Sequence, residues 1–336
     1  MSSQVVPSLA RDRLQELLRA MQGRRVVIVG DAMLDVYLHG EVDRISPEAP
    51  VPVVRVRDRR YALGGAANVA QNVISAGALG YLVATIGKDV AGERLRTMLA
   101  ALSADGRGLI DVDRPTTTKT RLVARAQQVV RFDEEEDADL SATEVRRIAE
   151  HLDDLLTKAD ALVLEDYNKG VLVPAIIERA IAAARERRIP IVVDPKFRNF
   201  FAFRGATVFK PNRRELESAL GASVVLDDID TLPDVFRRLG VDHLLLTLGE
   251  RGMVLISANG TVGRIPTTAR EVYDVVGAGD TVTAYLATAL AAGATACEAA
   301  VVANYAAGVE VGKLGAATVT PEEVMNAYDS HRSSSA

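Results

Sequence analysis

The sequence predicts an α/β fold: a doubly wound, mostly parallel central sheet, flanked by helices on both faces and carrying a small β-flap. Three observations predict it. Short apolar runs recur without polar alternation, a helical pattern follows each of them, and two segments with half-polar alternation break the rhythm.

The first helix is announced by Leu14, Leu17, Leu18 and Met21 at helical spacing. It leads into "RVVIVGD" (25–31), which reads as a buried strand, and similar runs follow as "YLVATIG" (81–87), "ALVLED" (161–166), "IPIVVDPK" (189–196), "TVFKPN" (207–212) and "HLLLTLG" (243–249). Helical patterns lie between them over 66–78, 91–104, 143–158, 173–187 and 230–240, and strands of this kind alternating with helices build parallel sheets. Residues 36–61 and 116–133 are rich in β-formers with polar residues interleaved, the pattern of half-exposed strands. They are expected to form a flap that closes over a substrate or pairs with a second copy, making a homodimer. The acidic run "DEEEDAD" (133–139) reads as a solvated loop, and Ser141 with Glu144 as a capping box opening the next helix. Residues 1–330 read as one domain and 331–336 as a disordered tail.

Bulk properties narrow the function. Of 336 residues, 48% are hydrophobic, enough for a large core. With 40 basic and 45 acidic residues the net charge is −5, with no basic tract of the kind nucleic acid requires, so a small-molecule partner is expected. One cysteine, Cys297, excludes a disulfide scaffold, and with four scattered histidines it argues against a Cys/His zinc site. The start, "MSSQVVPSLARDRLQ", lacks a basic region followed by an apolar one. No segment reaches the roughly 20 apolar residues of a membrane span. A cytoplasmic protein is expected.

The stretch "DVVGAGDT" (274–281) precedes the alanine-rich run "VTAYLATALAAG". Gly277 and Gly279 allow a tight turn whose amides, with that of Ala278, point outward at the positive end of a helix, an anion site. The alternative is a flexible turn with Asp280 as a helix-terminal cap. Other phosphate folds fail on spacing: both Gly-Lys pairs lack a following Ser or Thr, and the first strand ends in "GDAMLD" rather than a GxGxxG fingerprint. There is no GxSxG elbow. In "LGGAANVAQN" (63–72), Gly64 and Gly65 leave room for a ligand and Asn68 can both donate to and accept from a hydroxyl; helix packing is the alternative. Asp31 and Asp35 follow the first strand, where open parallel sheets bind their ligands, and two carboxylates there suit a polyol. "EDYNKG" (165–170), "DPKFRN" (194–199), "KPNRRE" (210–215) and "TLGERG" (247–252) are polar at further strand ends, which implies a long cleft with room for two ligands.

Taken in order, "GGAANVAQN", "KPNRRE", "TLGERG" and "DVVGAGDT" resemble the signatures of the ribokinase-like (PfkB) carbohydrate kinases over essentially residues 24–330. The runs "RISPEAPVPVV" (44–54), "TTTKTRLVARAQQVVRFD" (116–133), "LEDYNKG" (164–170) and "VDPK" (193–196) are similar to the branch acting on D-glycero-β-D-manno-heptose 7-phosphate. That resemblance implies transfer of a phosphoryl group from ATP, with Mg²⁺, to the C1 hydroxyl, giving the 1,7-bisphosphate on the way to ADP-heptose and lipopolysaccharide core. It implies Asp280 as the base and Gly277, Ala278 and Gly279 as the anion hole. Asp31, Asp35, Gly64, Gly65 and Asn68 are then expected on the sugar, with Arg125 or Lys169 on its distal phosphate unless these are solvated surface charges. Lys196, Asn212, Arg213, Arg214, Glu215, Thr247, Gly249 and Gly252 are expected on the nucleotide, and Glu215, by its resemblance to the family's NxxE glutamate, on Mg²⁺ through water. Two departures stand out. Val275 and Val276 replace a commoner Thr and polar residue, without loss of activity expected because backbone amides hold the anion. No nucleotidyltransferase signature follows, so a separate adenylyltransferase and phosphatase are expected in the pathway.

Overall fold

The computed structural model describes residues 4–5, 9–102, 104–124, 127–224, 232–269 and 272–335. Its first half runs β1 (Gln4–Val5), α1 (Arg11–Ala20), β2 (Arg25–Gly30), β3 (Ala32–Ile45), β4 (Pro52–Gly65), α2 (Ala66–Ser75), β5 (Leu79–Gly87), α3 (Val90–Ala101) and β6 (Asp105–Val112). The middle comprises β7 (Thr118–Ala124), β8 (Gln127–Glu134), α4 (Ala142–Leu156), β9 (Ala161–Glu165), α5 (Pro174–Glu186), β10 (Ile191–Asp194), β11 (Val208–Phe209), α6 (Arg213–Leu220) and α7 (Leu232–Leu239). The rest is β12 (His243–Thr247), β13 (Met253–Ser257), β14 (Val262–Ile265), α8 (Ala278–Ala291), α9 (Ala296–Glu310) and α10 (Pro321–Ser335).

Ten strands form the main sheet in the order β1-β14-β13-β12-β11-β10-β9-β2-β5-β6. From β6 to β12 every pairing is parallel, as the apolar runs predict. The order reverses at β2, which lies between β5 and β9, so the chain winds outward in both directions and opens a crevice at that switch point. Two antiparallel pairings, β12 with β13 and β13 with β14, were not expected from sequence. Their strands are only five and four residues long and are joined by a tight turn at Gly260, a signal too short to stand out beside the buried runs.

Alternation along each strand feeds two cores. Val26, Ile28, Ala161, Val163, Val192 and Leu245 face a layer with α1, α2, α8 and α9. Val27, Val29, Leu162, Leu164, Val193 and Leu244 face a second layer with α4 and α5. The alanine-rich α8 and α9 carry small buried side chains along much of their length, which lets them pack closely at the centre of the first layer. On the other side Phe209 stacks edge-on against Phe200 at 5.0 Å between ring centroids and lies 6.1 Å from Phe203.

The flap is a separate four-stranded sheet, β4-β3-β7-β8, so both half-polar segments form it together. Its strands run past the expected limits at both ends of the first segment, because β3 begins at Ala32 directly after β2 and β4 continues to Gly65 directly before α2. Ser141 and Glu144 make the expected capping box. Within the segment expected as a tail, α10 carries through Ser335, with Arg332 donating to the Tyr328 hydroxyl and the Ser333 hydroxyl to the Asp329 carbonyl.

Phe209→Ala should cost about 3–5 kcal/mol of unfolding free energy in urea titrations, since it empties the middle of the aromatic cluster.

Candidate active site

The carboxyl ends of the parallel strands, the flap and the start of α8 enclose a cleft of about 850 Å³. Each wall follows from local sequence. β9 ends at Glu165, β10 at Asp194 and β11 just before Lys210, so the polar residues that stop these strands meet at one edge of the sheet. From the flap, β3 and β7 pair in register with Asp35 opposite Lys119, and Asp35, Lys119 and Arg121 all line the cleft.

Gly277 supplies the turn into α8 with φ +97°, and no side chain caps that turn. A Cβ at Gly279 would meet nothing closer than Lys210 Nζ at 3.8 Å, so the loop is open towards the cleft. The amides of Gly279 and Asp280 belong to the first turn of this helix, the kind of backbone end that can receive an anion. The Ala278 amide turns partly back, with the Val275 carbonyl 3.4 Å away.

Asp280 does not cap the helix. Its Oδ2 accepts from Asn68 Nδ2 at 2.7 Å and its Oδ1 from the Tyr167 hydroxyl at 3.0 Å, and the carboxylate is buried. Burial pushes its pKa up to about 6, the two hydrogen bonds pull down, and the charge of Asp194 pushes up. Behind it, carboxyl oxygens of Glu165, Asp194 and Asp280 lie within 4.8 Å of one another. Both Glu165 oxygens lack a hydrogen-bond partner, and burial followed by the charges of Asp194 and Asp280 drives this group far above the carboxylate range. Lys210 Nζ donates to Asp194 Oδ2 at 2.7 Å; burial lowers its pKa, but Asp194 and Glu165 outweigh it and the group stays cationic.

Glu215 is bonded by Lys196 and by the Asn212 amide, while Asn212 caps α6 in return, so this pair is a capping box as well as a wall of the cleft. Thr247, Gly249 and Gly252 continue that wall. Gly249 (φ +61°) faces open space, whereas a Cβ at Gly252 would lie 2.1 Å from the Ile265 carbonyl oxygen, so Gly252 serves the chain crossing.

Fourteen expected residues therefore meet in the cleft: Asp35, Gly64, Gly65, Asn68, Lys196, Asn212, Glu215, Thr247, Gly249, Gly252, Gly277, Ala278, Gly279 and Asp280. Gly64 there makes room for the protein itself, since a Cβ would stand 2.8 Å from Asp35 Oδ2. Four expectations are corrected. Asp31 is turned away: its carboxylate accepts the amides of Tyr167, Lys169 and Val171 and anchors the loop after β9. Lys169 pairs with Glu135 outside the cleft. Arg213 is spent on Glu217 and the Val224 carbonyl, and Arg214 points to solvent. Arg125 lies outside the described residues. Residues missed from sequence are Lys119, Arg121, Glu165, Tyr167, Asp194 and Lys210. Most stand inside strand-end motifs quoted above, and the strand-end rule itself singles them out once exact strand limits are known.

A buried carboxylate at an open helix start, with buried Lys210 and half-buried Lys196 in the same cleft, is an arrangement suited to phosphoryl transfer. The family model for "pfkB family carbohydrate kinase" matches residues 24–323, and the chain belongs to that family. The Bifunctional protein HldE of Rhodospirillum rubrum is 44% identical over 317 residues, 94% of this chain and 64% of that protein. The Bifunctional protein HldE of Pelobacter propionicus is 43% identical over 328 residues, again 94% of this chain and 66% of the relative. The chain thus spans just under two thirds of the length of these relatives. In fold it is similar to Arabidopsis thaliana ribokinase complexed with ribose and ATP (TM-score 0.73, 20% identity, covering 91% of this chain and 98% of that one). It is also similar to phosphofructokinase-2 from Escherichia coli in complex with substrates and products (TM-score 0.76, 18% identity, 92% and 99% covered). Among the described residues no helix is long and apolar enough to cross a membrane.

Asp31 and Asp35 should separate on mutation. Asp31→Ala leaves three amides without their acceptor and should lower stability by about 1–3 kcal/mol or more in urea titrations. Asp35→Asn should retain most stability and raise the KM for the sugar.

Proposed function

We propose that this carbohydrate kinase transfers the γ-phosphoryl group of ATP to the C1 hydroxyl of D-glycero-β-D-manno-heptose 7-phosphate, in the supply of ADP-heptose for lipopolysaccharide core. The observation that carries the reading is Asp280: a buried carboxylate with a pKa of about 6, set at the uncapped start of α8. The heptose is supported by the four long runs that resemble that branch and by the identity to the two proteins named HldE.

Asp280 accepts the proton of the C1 hydroxyl as its oxygen bonds to the γ-phosphorus and the bond to the β,γ-bridging oxygen of ATP breaks, releasing ADP. The amides of Gly279 and Asp280 face the phosphoryl group in flight, and Lys210 supplies fixed positive charge from below. Asn68 and Tyr167 fix the carboxylate's orientation, and Asp35 accepts from sugar hydroxyls. The nucleotide lies along Asn212, Thr247 and Gly249, with its phosphates towards Lys196. Asp194 and Glu215, both on the cleft wall, would hold the Mg²⁺ that accompanies ATP, and the ion would supply positive charge to offset the phosphates. The flap edges are a candidate homodimer surface, with Val56, Val129, Val130 and Phe132 exposed on them.

An ADP-release assay over a panel of sugars tests the substrate. Turnover is expected with heptose 7-phosphate and not with unphosphorylated hexoses; equal turnover with ribose would refute the assignment. In the same assay Asp280→Asn should lower kcat by about 10²–10⁴-fold, the usual worth of a positioned base, with little change in KM.

A further inference from the structure

We propose that Lys119, assisted by Arg121, is the specificity determinant that selects a sugar bearing a phosphate remote from the reacting hydroxyl. The inference rests on the kinase reading above and deepens it by naming the residues that read the far end of the acceptor.

Lys119 and Arg121 are two residues apart on β7, so both point from one face of the flap into the cleft. Three carboxylates lie within electrostatic reach of Lys119: Asp35, Glu135 and Asp133. Each is already matched. Arg121 Nη1 donates to Asp35 Oδ1 at 2.5 Å, Lys169 Nζ pairs with Glu135 at 2.7 Å, and Arg131 Nε pairs with Asp133 at 3.0 Å. Among the described residues no carboxylate pairs with Lys119. Its recorded contact is the face of the Tyr167 ring, 5.3 Å from the ammonium.

A half-buried ammonium without a counter-ion is costly, and here burial lowers its pKa further than the nearby carboxylates restore it. An anion arriving from the cleft removes that cost, which gives binding energy that a neutral sugar cannot collect. The position is also right for selection rather than catalysis. Tyr167 stands between: its hydroxyl holds Asp280 while its ring carries Lys119, so an anion on Lys119 is separated from the transfer point by the width of that residue. Arg121 completes the subsite by fixing Asp35, a sugar-hydroxyl acceptor, directly beside Lys119 in register.

The test is a ratio. Steady-state kinetics on heptose 7-phosphate and on the same heptose without phosphate give two values of kcat/KM, and their ratio measures selection for the distal group. Lys119→Gln should reduce that ratio at least about tenfold, the scale of one charge-assisted hydrogen bond, while the KM for ATP stays within about twofold. Lys119→Arg, which keeps the charge, should restore most of it. An unchanged ratio, or an equal loss on both sugars, would overturn the assignment, since a merely structural role lowers both together. The two readings fail differently. If the wild-type enzyme uses some other phosphorylated sugar, the heptose assignment falls, and the same ratio on that sugar and its parent still decides the role of Lys119. If the wild-type enzyme prefers a sugar without phosphate, the subsite falls as well.

Discussion

The structure turns on keeping one carboxylate, that of Asp280, out of water and still able to ionise. Burial alone would leave it protonated and useless as a base. Two donors hold it back from that limit, the Asn68 carboxamide and the Tyr167 hydroxyl, one on each oxygen. Each donor is in turn fixed from behind. Asn68 is held on the first turn of α2, where Asn72 reaches its side chain and carbonyl, and Thr281 of α8 bonds Asn72. Tyr167 is held by the loop that Asp31 organises through its three amides. The Lys210–Asp194 pair completes the surroundings, setting a cation against the negative charge gathered beside Asp280.

This arrangement explains why the flap and the sheet must be built together. β3 leaves β2 through Asp31 and Ala32 without an intervening loop, and β4 delivers Gly64 and Gly65 straight into α2. The flap wall of the cleft and the helix that carries Asn68 are thus consecutive in the chain, and their close approach depends on Gly64 lacking a side chain against Asp35.

Much of this was legible in the sequence. Unbroken apolar runs gave the parallel strands because a strand covered on both faces has no polar side to show, and the half-polar segments gave the flap because it has one. The glycine turn and Asp280 were legible through spacing. What escaped has physical reasons. Asp31 and Asp35 look alike as strand-end carboxylates, and only the path of the chain turns one inward to amides and the other to the cleft. Lys119 and Arg121 share one strand parity, but alternation alone does not say which face of a strand meets the cleft. Lys210 and Asp194 were inside quoted motifs, yet a buried ion pair between two strand ends becomes visible only when the strands are placed side by side.

The central claim, that Asp280 is a buried base tuned by Tyr167, is tested most directly by the pH dependence of kcat/KM for the wild-type enzyme and for Tyr167→Phe. The base acts when ionised, so activity should be full above its pKa of about 6 and fall towards tenfold per pH unit below it. Removing the hydroxyl takes away a donor that stabilises the charged form, so the acid limb should move to higher pH in the variant. A profile with no limb near pH 6, or a limb that the substitution leaves in place, would contradict the account.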